Sequence, residues 1–356
     1  MIVSRRVVAL AVLVAWGLAC ASGQTPPAPE PLGNLKAKAD LNDEDRAAVR
    51  EFITQRIGEM NGGDAATARQ AAAQLRRPYQ GASEAFRRAY ATILIELASS
   101  AYPKSGLVPA TQLLAILDAM DVVDARTLFI GALKDERVGV RASAALALRR
   151  LRPKLVAAGF DVYSAAVAAL RDAGRVEKSR EALRGVYEAM NYAEVGASLD
   201  LKPAIGALLD LLEARAKLHA GNKDVPALGA DDAGLEAATK MLRAMSDDDK
   251  RRLAAAAGTI TRFALERYLS PDRNFAELTQ GDNPTLLELR NTLERLVLVG
   301  ERTLAAALSP PRAPTVFESF RKHDRAATRL AWKEWATLLQ AATNQDFALS
   351  ESRDAP

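Results

Sequence analysis

His219 and His323 are the only histidines in the chain, and Cys20 is its only cysteine. The histidines lie more than a hundred residues apart. A three-histidine metal site is therefore excluded, and neither histidine has the H-E-x-x-H partner that a zinc-binding helix face requires. His219, in "AKLHAGN", falls near a helix C-terminus, where an imidazole interacts favourably with the helix dipole.

Clustered carboxylates occur at Asp231 and Asp232 in "ADDAG" and at Asp247, Asp248 and Asp249 in "SDDDKRR". Calcium loops alternate acids around a central glycine and end in glutamate; neither stretch does. Both read as acidic first turns of helices, with Ser246 and Asp249 at capping-box spacing. No G-x-S-x-G elbow surrounds a serine, and "GEMNGGDA" lacks the Gly-Lys-Ser/Thr ending of a phosphate loop. The sequence thus assigns no catalytic residue, no metal ligand and no cofactor. Paired glycosidase-type carboxylates leave no sequence signature, so a hydrolase of envelope polymers with carboxylates in a groove stands as the alternative function.

The most distinctive apolar face belongs to "TVFESFRKHDRAATRLAWKEWATLLQAAT", read as one helix from Thr315 to Thr343. Phe317, Phe320, Ala327, Ala331, Trp335 and Leu338 fall on one side of it. Trp332 and Trp335 suit either contact with a partner or a terminal cap that closes the core.

The elements that position these groups are helical. Of 356 residues, 49% are hydrophobic, 26% charged and only 5% aromatic, a globular profile in which alanine-rich helices pack closely. A chain this long buries about 75% of its unfolded surface without staples. Asn42 caps a helix whose first turn holds Asp43, Glu44 and Asp45, and Asp64 caps the next. Short helical stretches follow, each too short to be stable alone. No alternating β-branched run or Asn-Gly hairpin signal interrupts them, so the expected fold is all-α.

The N-terminal stretch has Arg5 and Arg6, then an apolar run from Val7 to Ala19, then small residues. This is a signal peptide, residues 1–21, too short to span a membrane comfortably. "GLAC" resembles a bacterial lipobox, which makes Cys20 a lipidation candidate. Either soluble export or a lipid anchor results, with a periplasmic or envelope location. Loss of Arg5 and Arg6 brings the net charge from +4 to near +2, against nucleic-acid binding. Prolines 26, 27, 29 and 31 mark residues 22–40 as a tether. Residues 41–220 read as a helical-repeat domain, 221–231 as a linker, 232–344 as a longer-helix bundle and 345–356 as a disordered tail.

Aligning "ALKDERVGVRASAAL" with "ALRDAGRVEKSREAL" at an offset of 37 residues places Leu133, Asp135, Arg141 and Leu146 over Leu170, Asp172, Lys178 and Leu183. An acid in the turn then precedes a base in the next helix by six residues. Such an acid can accept hydrogen bonds from amides at a helix start and pair with the base of a neighbouring hairpin. Through Asp135, Val140, Arg141, Ala144, Ala145 and Leu148, and through Asp172, Lys178, Ala182 and Leu183, residues 122–192 resemble the HEAT repeat family, with Glu177 departing from its apolar pattern. The resemblance implies a short right-handed α-solenoid of helical hairpins followed by the bundle, and a concave face that binds proteins. The expected function is a non-catalytic envelope scaffold or adaptor. Its partner-binding candidates are Arg141, Arg149, Arg150, Lys178, Arg184, Trp332 and Trp335.

Overall fold

Asn42 accepts a hydrogen bond from the Asp45 amide at 2.8 Å and donates its own amide to Asp45 at 3.2 Å, which starts the first helix as its sequence requires. The computed structural model describes residues 32–196, 200–221, 224–270 and 283–350. Residues 1–21, expected to form a signal peptide, and the lipidation candidate Cys20 among them lie outside the described residues. Among the described residues there are fourteen α-helices and no strand. They are α1 (Asp43–Gly62), α2 (Ala65–Arg76), α3 (Glu84–Ala101), α4 (Leu107–Met120), α5 (Arg126–Ala132), α6 (Val138–Ala157) and α7 (Phe160–Val176), then α8 (Arg180–Met190), α9 (Lys202–Gly221), α10 (Asp231–Met241), α11 (Asp247–Tyr268), α12 (Pro284–Leu308), α13 (Val316–Arg321) and α14 (Arg325–Thr343). Asp64 and the Ser246–Asp249 capping box act as read from the sequence.

Packing follows an alternating rule. The even-numbered helices α2, α4, α6, α8, α10 and α12 contact one another in succession. Among the odd-numbered ones, α1 packs on α3, and α5, α7, α9 and α11 follow in turn to α14. Cross-layer pairs such as α1 with α2, α6 with α7 and α11 with α12 tie the two rows together. Each helix from α1 to α12 therefore buries leucine and alanine against a neighbour two positions away in the chain, while α13 and α14 pack on each other, on α12 and on α11. This burial offsets the cost of ordering helices too short to stand alone.

Four expected boundaries are corrected. Residues 32–40 are pinned rather than free: Leu35 is buried, and Ser83 donates to the carbonyls of Lys36 and Lys38. Residues 224–231 are no linker, because Val225, Ala230 and Asp231 are buried and one apolar core continues from α9 through α10 to α11. Residues 345–350 are no disordered tail, because Phe347 is buried and its carbonyl accepts the Trp332 indole N–H at 2.8 Å. The helix expected over 315–343 is two helices, broken where His323 takes a left-handed φ of 58° and Asp324 caps α14.

Candidate functional site

The turn that enters α6 and the turn that enters α8 share one construction. Asp135 accepts the Arg137 amide at 2.9 Å, and Glu177 accepts the Ser179 amide at 2.8 Å. Each acid stands two residues before its helix N-cap. The two matching turns stand 42 residues apart, Asp135 to Glu177, against the 37 of the sequence alignment. Burial agrees: Val140, Ala144, Ala145, Ala147 and Leu148 match Ala182, Val186, Tyr187, Ala189 and Met190, all buried. Leu146 and Asp172 fall out of equivalence, since Leu146 is exposed where Leu183 is buried, and Asp172 pairs, among the described residues, with adjacent Arg171. The expected chemistry is present, but Glu177 performs it.

Arg141 closes that chemistry. Its Nε and Nη2 donate to the two Glu177 oxygens at 2.6 and 2.8 Å, and Nη1 donates to the Asp135 carbonyl at 2.8 Å. Burial alone would raise the Glu177 carboxyl; Arg141 and the backbone amides outweigh it and hold the group below its ordinary value. Arg137 performs a similar service for the previous turn, donating to the carbonyls of Ser105 and Tyr102.

The other arginines read as partner-binding candidates are also engaged within the chain. Arg149 pairs with Glu188 at 2.5 Å, Arg150 with Asp118, and Arg184 with Asp232 at 2.8 Å. These pairs lace α4, α6, α8 and α10 together along the even-numbered row. Lys178 is exposed. Trp332 and Trp335 are buried, 1% and 0% exposed, so neither is available to a partner or a membrane. They close the end of the core, with Thr328 and Leu339 on the same buried face of α14.

A buried polar cluster, missed from the sequence, joins α8, α9 and α10. Asp231 accepts from Arg215 Nε at 2.9 Å, from Arg215 Nη2 at 2.8 Å and from the Tyr187 hydroxyl at 2.9 Å, and it bonds His219 Nε2 at 2.8 Å. Burial opposes ionisation of Asp231, but the hydrogen bonds from His219 and Arg215 prevail and keep its carboxyl low. Burial pushes the Tyr187 hydroxyl well above its usual range. Gly234 is required here, because a Cβ at that position would stand 2.6 Å from the Tyr187 ring. Asp231 and Asp232 lie in the first turn of α10, as read from the sequence, and Asp231 in addition anchors the buried cluster. His219 likewise serves Asp231 and not merely the end of its own helix.

Concavities among the described residues include two of unequal size. The larger, about 550 Å³, lies between α9, α11 and the end of α14, with Ala216, Ala220, Ala255, Ala256, Ala341 and Ala342 forming its smooth walls. Glu213, Lys217, Asp248, Arg251 and Arg252 supply charge of both signs around it. The smaller, about 150 Å³, is polar and lies between α6, α8 and α10. Among the described residues, no group of three or more His, Cys, Asp or Glu side chains is placed to hold a metal ion. No described helix is long and apolar enough to cross a membrane. In comparisons with known proteins, no family model and no curated protein matches the chain.

Proposed function

We propose that this chain is an exported, non-catalytic helical scaffold or adaptor of HEAT-like solenoid type that binds another protein in the bacterial cell envelope. The observation that carries the reading is the alternating two-row packing of α1 to α12, in which each helix rests on a helix two positions away. Such a stack grows by repetition and extends surface instead of enclosing a site. The ionisable groups support the same reading: they are spent on joining successive helices, and the Asp231 cluster is sealed from solvent. Residues 1–21 support export.

The groove between α9, α11 and α14 is the surface assigned to the partner. Alanine walls admit close approach of a backbone, and a rim of mixed charge supplies specificity more than affinity. The test is cross-linking in intact envelopes followed by purification, with wild type beside an Ala220→Arg/Ala341→Arg variant; both sites are exposed, so the core is untouched. A stoichiometric protein that is lost from the variant at unchanged Tm is expected. A partner retained by the variant removes the groove assignment. Absence of any partner, together with turnover of an envelope polysaccharide by the purified chain, overturns the scaffold reading in favour of a hydrolase.

A further inference from the structure

Arg152 on α6 is only 8% exposed, yet it lines the polar cleft between α6, α8 and α10. Its Nε donates to the Arg149 carbonyl at 2.9 Å, and Nη1 reaches the Glu188 carbonyl at 3.4 Å. The Tyr192 ring lies beside the guanidinium, 5.9 Å from carbon to centroid. Nη2 has one carboxylate neighbour, Glu194 at 4.0 Å, and Lys240 holds that same carboxylate at 3.0 Å.

The remaining charges of the cleft are matched. Arg149 answers Glu188, while Arg184 and Arg295 together answer Asp232 and Glu236, both arginines holding Asp232 and Arg295 also reaching Glu236 at 3.4 Å. The uncompensated positive charge therefore resides on Arg152. Desolvation there works against the charged guanidinium and lowers its pKa from the ordinary value, with Glu194 opposing only in part. A buried cation of this kind gains most from a second anion, because its desolvation cost is already incurred in the folded chain.

We propose that this cleft binds one oxyanion group, the carboxylate of an acidic polypeptide, through the Nη2 edge of Arg152. A planar guanidinium matches a planar carboxylate in two-point geometry, which a lysine in the same place would not. At about 150 Å³ the cleft is smaller than the roughly 300–1,000 Å³ typical of whole small-molecule ligands, so it takes a terminal group and leaves the rest of the ligand outside. Ala233 and Ala237 supply a short apolar wall for the methylene stem of a glutamate. The assignment goes beyond the scaffold reading and does not rest on it.

The experiment titrates the purified chain with a fluorescent, end-blocked tetraglutamate peptide, its tetraglutamine counterpart, and inorganic phosphate as competitor. The glutamate peptide is expected to bind about tenfold more tightly than the glutamine peptide, the size of one lost charge-assisted contact. Arg152→Met should abolish that preference, and Glu194→Gln, at an exposed position, should strengthen it by removing the competing carboxylate. The second variant keeps the test decisive if Arg152→Met fails to fold. Displacement by phosphate alone at equal affinity reassigns the cleft to a free inorganic anion and overturns the polypeptide assignment. Equal binding of both peptides, or no response to Glu194→Gln, overturns the site itself. Because only purified chain is used, a failure here leaves the envelope-partner result unaffected, and the reverse also holds.

Discussion

Arg141 and Glu177, one on α6 and the other in the turn before α8, grip each other at two points, 2.6 and 2.8 Å, while Glu177 also receives the amides of Lys178 and Ser179. The carboxylate is 4% exposed and the guanidinium 18%, so removal of either leaves a largely desolvated charge. Glu177→Gln is expected to cost about 3 kcal/mol, near the lower end for a broken buried pair because Arg141 retains some solvent. Arg141→Met should cost less, since the Glu177 carboxylate keeps its amide donors. Urea unfolding of both singles and the double variant measures this; strict additivity would mean that the pair contributes no coupling.

Asp231 supports a sharper version of the same logic. With Asp231 0% and Arg215 2% exposed, Asp231→Asn strands a buried guanidinium and is expected to destabilise by about 3–5 kcal/mol. A double replacement, Asp231→Leu with Arg215→Met, removes both charges and should recover much of that loss. Thermal unfolding of the two variants compares them directly. A double variant no more stable than Asp231→Asn would show that the cluster contributes through its full hydrogen-bond geometry, with Tyr187 and His219, beyond charge balance.

The pH dependence has two opposed limbs. Asp135, Glu177 and Asp231 have carboxyls held below their ordinary values; Arg137 leads for Asp135, and hydrogen bonding overcomes burial for the other two. Their stabilisation is complete above the unfolded values, 3.8 for aspartate and 4.5 for glutamate, and drains away as pH falls through the lower folded values. Burial raises Asp118 and Glu301, so each costs stability above its folded value and the cost fades on acidification. Tm should therefore hold or rise slightly from neutral pH to about 5 and fall steeply below about 4. Glu301→Gln should flatten the upper limb and leave the acid fall in place; scanning calorimetry across this range tests both.

What was legible in the sequence follows the range of the interaction concerned. Asn42, Asp64 and the Ser246–Asp249 box announce themselves because a cap and its amide are two or three residues apart. The all-α class is legible for the same reason, since helical periodicity is local. The Arg215–Asp231 pair was not, because its members stand 16 positions apart with the stretch read as a linker between the helices, and only the packing of α8, α9 and α10 unites them with Tyr187. Arg152 looks like any exposed helical arginine until the rows are assembled. The His323 break is not legible because a left-handed residue other than glycine leaves no compositional signal.

The segment after α14 tests how far composition misleads. "NQDFALS" reads as a polar tail, yet Phe347 is 2% exposed and would lie 2.9 Å from a Cβ placed on Gly258 of α11. Arg262 donates to the Asp346 carbonyl at 3.3 Å, and Ser350 donates its amide to Glu266 at 3.1 Å, fastening the strap on both sides. Phe347→Ala is expected to cost about 3–5 kcal/mol, as for a core aromatic. A chain ending at residue 344 should lose at least as much and expose Trp332, visible as a red-shifted tryptophan emission. Unchanged emission and stability in the shortened chain would return the segment to the status of a dispensable tail.

The competing repeat lengths make opposite predictions for two leucines. An offset of 37 residues makes Leu146 and Leu183 equivalent, whereas the 42-residue spacing of Asp135 and Glu177 places Leu146 opposite Glu188, on the exterior of the row. Leu146 is 41% exposed and Leu183 0%. Leu183→Ala should therefore cost about 2–5 kcal/mol, the range for a truncated core leucine, and Leu146→Ala no more than about 0.5 kcal/mol. Loss of the leucine at 146 is nearly free because alanine's higher helix propensity compensates for the little apolar area that it withdraws. Equal losses at the two positions would restore the shorter repeat and undo the assignment of Glu177 as the acid of the second turn. A large difference fixes the register in which Arg141 of α6 reaches Glu177 in the turn before α8, one of the ion pairs that join these helices.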